Sequence, residues 1–206
     1  MSAKTPAETI VLIHGMWMTG LVMSLLQYRL RRCGFNVVRF SYPTVRCSLK
    51  DNATLLQKFL LRLDAETVHF VAHSLGGLLL RQFFYDYPGQ RPGRVVTLGT
   101  PHRGSEAARR MERNFFGKAL LGRSYENGLR GDVPTWDDSR SMAVIAGKLN
   151  FRFSSLVGRL PRPNDGAVTV AETFLPTAEE HIVLPVTHMG LLISPRVADA
   201  ICRFLH

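Results

Sequence analysis

The sequence predicts an α/β fold in which a parallel sheet of about six strands carries helices on both faces. Three observations predict it. Short, β-branched apolar runs alternate with segments of helical period, which implies crossovers between parallel strands. The runs are continuously apolar and do not alternate, as expected for strands covered on both sides. The chain has 206 residues, 46% hydrophobic and 20% charged, which suits one globular domain spanning 1–206.

The elements follow in order. Thr9 to Ile13 reads as a buried strand. Leu21 to Arg32 reads as a helix, with Leu25, Leu26 and Leu30 on one stripe and Gly34 ending it. Asn36 to Ser41 is the next strand. Ser48 to Leu63 is a helix that Ser48 can cap. Val68 to Ala72 is a third strand and Leu75 to Tyr85 a third helix. Arg94 to Leu98, Met142 to Ala146 and His181 to Val186 complete the strands. Pro195 to Leu205 is a closing helix, with proline at a favourable first-turn position.

Two stretches break this rhythm. Residues 103–138, rich in glycine, arginine and polar residues, read as a short cap insertion at a strand exit, where insertions often cover a site. Within it, Glu106 to Leu121 is expected to form one amphipathic helix with Met111, Phe115 and Leu120 inward. Phe151 to Gly166 reads as a second irregular loop.

The formal net charge is +10, which attracts anions such as an anionic membrane surface or an acidic substrate. The basic residues are scattered, with no unbroken block and no groove-reading motif, so no specific nucleic-acid partner is expected. No apolar run reaches the roughly 18 residues that span a bilayer, and the N-terminus lacks the pattern of a secretory signal. A cytoplasmic location, with association to a membrane surface as an option, is the expectation. Cys33, Cys47 and Cys202 form neither a disulfide framework nor a metal-ligand spacing and are expected as reduced thiols.

The strongest chemical signal is Ala72-His73-Ser74-Leu75-Gly76-Gly77, after a strand and opening a helix. A sharp strand-to-helix turn lifts a serine hydroxyl clear of the sheet, and small residues two before and two after let neighbouring chains approach. Ala72 stands where glycine is usual and keeps that steric logic. A serine needs a base. Of seven histidines, His188 lies between the last strand and the last helix, at the sheet edge that also presents Ser74. His73 should point away from the serine hydroxyl, while His14 is expected to be structural. Asp165, on a turn-rich loop upstream of His188, is the expected acid, with Asp138 the next to test and Asp137 and Glu172 as further rivals. The oxyanion donors are expected to be the N–H of Leu75 and the N–H of Met16, in the turn after the first strand.

Together these residues resemble the α/β-hydrolase superfamily, and more narrowly its small bacterial lipases and esterases, over nearly the whole chain. Ala72 to Gly77 looks like the lipase pentapeptide that alanine opens, and Val95 to Ser105 resembles the strand and turn after the nucleophile helix. Asn164 to Val168 is similar to the segment carrying the lipase acid, and His188 to Leu192 to the histidine segment of a nearly lidless lipase. The resemblance implies an α/β-hydrolase fold, a Ser-Asp-His triad of Ser74, Asp165 and His188, and hydrolysis of a small acyl ester or lipid. It implies no cofactor. Met189 and Gly190 offer no carboxylate, so the calcium site of many bacterial lipases is not expected, nor any other metal. An acyltransferase or thioesterase acting on lipid- or carrier-linked acyl groups is the alternative. A hydrolase scaffold used only for binding is a third reading.

Overall fold

The sheet is built from β1 (Thr9–Ile13), β2 (Asn36–Phe40), β3 (Val68–His73), β4 (Val95–Leu98), β5 (Met142–Gly147) and β6 (Glu180–Leu184). In the computed structural model, which describes residues 8–113, 115–136, 140–150 and 160–206, these strands form one sheet in the order β2-β1-β3-β4-β5-β6. Every neighbouring pair is parallel. Strands β1, β3, β4 and β5 are buried along their whole length, whereas the edge strands β2 and β6 are only partly covered.

The side-chain period of two divides each strand between two cores. Val11 and Ile13 join one core with Leu56, Leu78 and Phe83, from α2 (Leu49–Leu60) and α3 (Leu75–Asp86). Ile10 and Leu12 join the other with Leu26, Leu30, Val197 and Ile201, from α1 (Ser24–Arg32) and α8 (Pro195–Leu205). Each fully buried aliphatic side chain contributes about 1.5–3 kcal/mol by leaving water. Ser48 caps α2 in a reciprocal box: its hydroxyl accepts from Asp51 N at 3.1 Å, and Asp51 Oδ2 accepts from Ser48 N at 3.2 Å.

Three expectations are corrected. Leu25 faces solvent, because α1 buries Leu26 and Leu30, four residues apart. The cap helix is two short helices, α4 (Glu106–Glu112) and α5 (Phe115–Leu121). Met111 packs on the core, but Phe115 and Leu120 point outward, with 83% and 49% of their surface exposed. The break at Arg113 resets the helical phase, and α5 buries Gly117 and Leu121 instead. Finally, Cys33 and Cys202 are joined by a disulfide, although 169 residues separate them in the chain. Packing of α8 against α1 brings their Cα atoms to 6.3 Å, a proximity that spacing alone does not reveal. Cys47 remains a thiol.

Among the described residues no helix is long and apolar enough to cross a membrane. Most of the second irregular loop, residues 151–159, lies outside the described residues.

Candidate active site

Chain direction reverses its progress across the sheet at β1, which has β2 on one side and β3 on the other. In open α/β sheets the crevice at such a switch point, beyond the carboxyl ends of the strands, is where ligands bind. Ser74 sits there, in the single residue between β3 and α3, with φ 53° and ψ −120°. This left-handed backbone costs a non-glycine residue about 1–3 kcal/mol and survives only where its surroundings enforce it. They do so from three sides. Ser74 N donates to Leu98 O at 2.8 Å, and Thr100 Oγ1 donates to Ser74 O at 2.9 Å. A Cβ on Gly76 would lie 2.9 Å from the carbonyl oxygens of both Ile13 and His14, so only glycine lets α3 approach the end of β1 this closely.

His188 lies between β6 and α7 (Gly190–Ile193). Its Nδ1 donates to Asp165 Oδ2 at 2.7 Å, and its backbone N donates to Asp165 O at 2.9 Å. The Asp165 side chain is 1% exposed and that of His188 15%. The other carboxylate oxygen, Oδ1, accepts from Ala167 N at 2.9 Å and Val168 N at 2.7 Å. The Asp-Gly sequence is therefore a turn and also the partner of an imidazole. With Nδ1 carrying the proton, Nε2 is left as the acceptor of the ring. The Ser74 hydroxyl makes no hydrogen bond with that ring, whose partner is Asp165. Bonds of this kind often tighten only when substrate is seated.

His73 has a place that its sequence position does not announce. It points away from the cavity, and its ring packs against His188 with centroids 4.5 Å apart. Its Nε2 donates to His188 O at 3.1 Å. Burial, and then the neighbouring His188, push the His73 pKa well below the ordinary imidazole value, so His73 is neutral. Its Nδ1 is buried without a partner. His14 is structural: it stacks on Tyr42 at 4.6 Å, Tyr42 N donates to its Nε2 at 3.3 Å, and Tyr42 Oη donates to its carbonyl at 2.9 Å.

Met16 follows the β1 exit, and Leu75 opens α3, where a first-turn N–H lacks an intrahelical acceptor. Neither N–H donates to another group among the described residues. Both residues line one cavity with Ser74 and His188. Trp17, also on its wall, has φ 59° and is held by its N donating to Thr44 Oγ1 at 3.1 Å and its Nε1 donating to Leu120 O at 3.0 Å. That strained tryptophan was not legible in the sequence.

The cavity measures about 310 Å³ and its wall is mostly apolar, with Met111, Leu121 and Leu129 supplied by the cap segment. A groove of about 510 Å³ lies elsewhere, lined by Ser48, Lys50, Gln82 and Asp132, and it lacks the converging groups. Of the rival acids, Glu172 is spent on structure. Its carboxylate accepts from Thr169 N and Glu106 N, tying the start of α4 to α6 (Val170–Thr173). Asp137 and Asp138 lie outside the described residues. Among the described residues no group of three or more His, Cys, Asp or Glu could hold a metal ion.

Three comparisons bear on this arrangement. No curated protein matches the chain. Among solved structures, a Bacillus licheniformis lipase in its mature form superposes with a TM-score of 0.77 at 19% identity, covering 99% of this chain and 94% of that one. A metagenomic carboxyl esterase gives 0.69 at 20% identity, covering 98% and 76%. A thioesterase domain from a nocardicin cluster gives 0.63 at 16%, covering 96% and 93%. At such identities the likeness is one of fold. The family model described as the alpha/beta hydrolase family matches residues 10–203. With the match running almost end to end over the same parallel sheet, this chain belongs to the alpha/beta hydrolase family.

Proposed function

We propose that the protein hydrolyses carboxylic esters through an acyl-enzyme on Ser74. One observation carries the proposal: the 2.7 Å contact between His188 Nδ1 and Asp165 Oδ2 lies at the cavity where Ser74 adopts its strained turn. His188 Nε2 takes the Ser74 proton as Oγ attacks the ester carbonyl carbon. Asp165 holds the ring in the required tautomer and stabilises the imidazolium. The N–H groups of Met16 and Leu75 receive the oxyanion. The C–O bond to the alcohol breaks, and the alcohol leaves with the proton from His188. Water, deprotonated by the same ring, then attacks the acyl carbon; the bond from that carbon to Ser74 Oγ breaks, the carboxylic acid leaves, and His188 returns the proton to Oγ. The apolar cavity wall supports an acyl chain as the group bound beside the serine. A fluorophosphonate probe tests the reading. Labelling of the wild type and none of Ser74→Ala is expected; equal labelling of both would overturn it.

The thioesterase among the similar folds favours a second reading, acyl transfer or hydrolysis of a carrier-linked thioester. Competition between p-nitrophenyl esters and acyl thioesters, with and without an added alcohol acceptor, separates the two. A kcat/KM preference for esters supports the first.

A further inference from the structure

The α5 helix is inverted relative to an ordinary surface helix. It buries Gly117 and Leu121 and shows Phe115, Phe116 and Leu120 to solvent, with Phe115 and Phe116 83% and 79% exposed. Trp17, 57% exposed, adjoins this face, since its Nε1 donates to the Leu120 carbonyl. The next residue, Leu121, lines the cavity, as does Trp17. The exposed aromatic face of α5 therefore lies on the same helix that supplies the cavity wall, beside Trp17 at its mouth. Single exposed apolar side chains are ordinary, but a contiguous group beside a binding cavity marks an interaction surface.

The charges around it choose the partner. Arg113 closes α4 and Lys118 projects from α5, both exposed. Arg109 and Arg110 both contact the carboxylate of Glu106, at 3.1 and 3.0 Å. The nearby acid Glu112 accepts from the Tyr125 hydroxyl. The whole chain carries +10, so a second copy would be repelled, whereas an anionic surface is attracted. Aromatic side chains flanked by Lys and Arg suit the headgroup–acyl boundary of a bilayer.

We infer that the outer face of α5, with Trp17, docks on an anionic lipid bilayer and turns the cavity mouth toward it. The docking does not depend on the chemistry at Ser74. Only its purpose, delivery of an acyl lipid to the serine, rests on the ester-hydrolase reading.

The test uses the Ser74→Ala protein, so that binding is read without turnover. It is sedimented with phosphatidylcholine vesicles, with and without phosphatidylserine. Binding is expected only with phosphatidylserine. The double variant Phe115→Ser/Phe116→Ser should lose affinity by about tenfold or more. Arg113→Gln/Lys118→Gln should lose about thirtyfold, roughly fivefold for each charge. Trp17 emission should shift to the blue on binding, while Trp136, already buried, supplies a constant background. The inference is overturned by any of three results: no sedimentation, equal binding to both vesicle types, or unchanged binding and emission shift in both double variants. A wild-type dimer that the phenylalanine variant splits, without vesicle binding, would assign the face to a second copy and also overturn it. Short soluble esters are assayed in parallel on the Ser74-containing protein. Their failure to turn over would end the hydrolase reading and leave the docking result standing.

Discussion

The elbow after β3 and the cap above it meet the same cavity but are built on opposite terms. At the elbow, α3 follows a wholly buried strand, Gly76 has no room for one extra carbon, and Ser74 is forced into a backbone it would not choose. The cap carries two seven-residue helices with phenylalanines pointing outward, followed by a tighter and a wider helical turn over Gly122–Ser124 and Tyr125–Leu129. Its inner side buries Leu121, Leu129 and Trp136 in the core of α2 and α3, and polar ties fix its edges: Trp17 to Leu120, Arg123 N to Val45 O at 3.0 Å, and the Glu172 carboxylate at the start of α4. Buried Arg81 adds another, donating to His102 O at 2.7 Å and Pro134 O at 2.9 Å. The lesson is one of tolerance. Groups that must align to fractions of an ångström stand on the densely packed layer, while the surface that meets the outside is thin and replaceable.

This contrast can be broken in measurable ways. The largest expected effect is on turnover: Ser74→Ala should lower kcat for a short p-nitrophenyl ester by about 10⁴-fold or more without changing the melting temperature. Asp165→Asn should follow at about 10³–10⁴-fold in kcat, because the ring loses the acceptor that sets its tautomer. A loss confined to KM would contradict its assigned role. Acid should strike the packed layer next. His102 is held down to about 3, by burial first and then by Arg81, and His73 is also depressed, so both are neutral when folded. In the unfolded chain they titrate near the ordinary histidine value of about 6.5. The unfolded state therefore binds more protons below that value, and stability present above it is lost as the pH falls toward the folded values. Each histidine should cost about 1.4 kcal/mol by one pH unit below its unfolded pKa, read from urea midpoints across pH. Gly76→Ala should destabilise by about 1–3 kcal/mol in urea, since the new carbon meets backbone oxygens that cannot yield. Phe115→Ser, on the cap, should change stability by less than about 0.5 kcal/mol. A cap substitution as damaging as the elbow one would erase the distinction.

Much of the fold was legible because a parallel sheet prints itself on the chain. Strands covered on both faces must be continuously apolar, and the predicted runs lie within a residue or two of β1, β3, β4 and β5. The closing helix agrees with its expected bounds, Pro195 to Leu205, because proline sets its start. The positions of Ser74, Asp165 and His188 were legible as loops at one sheet edge, since all the strands run the same way. The cap was less readable. A helical period identifies a face but not its phase after a break, so the orientation of Phe115 and Leu120 came out reversed. His73 left no sequence signal for its contact with His188, because that contact joins residues 115 apart.

By itself, then, the amino-acid order determined which segments become strands, that they run parallel, and which edge gathers the serine, the imidazole and the carboxylate. These follow from local apolar patterning, which needs no knowledge of distant neighbours. Tertiary structure alone decided the Cys33–Cys202 bond, the burial of Asp165 against His188, the strained Trp17 on the cavity wall and the outward aromatic face of α5. Each of these depends on the distance or orientation between elements far apart in the chain. Packing two cores against one sheet settles such relations, and no local pattern encodes them.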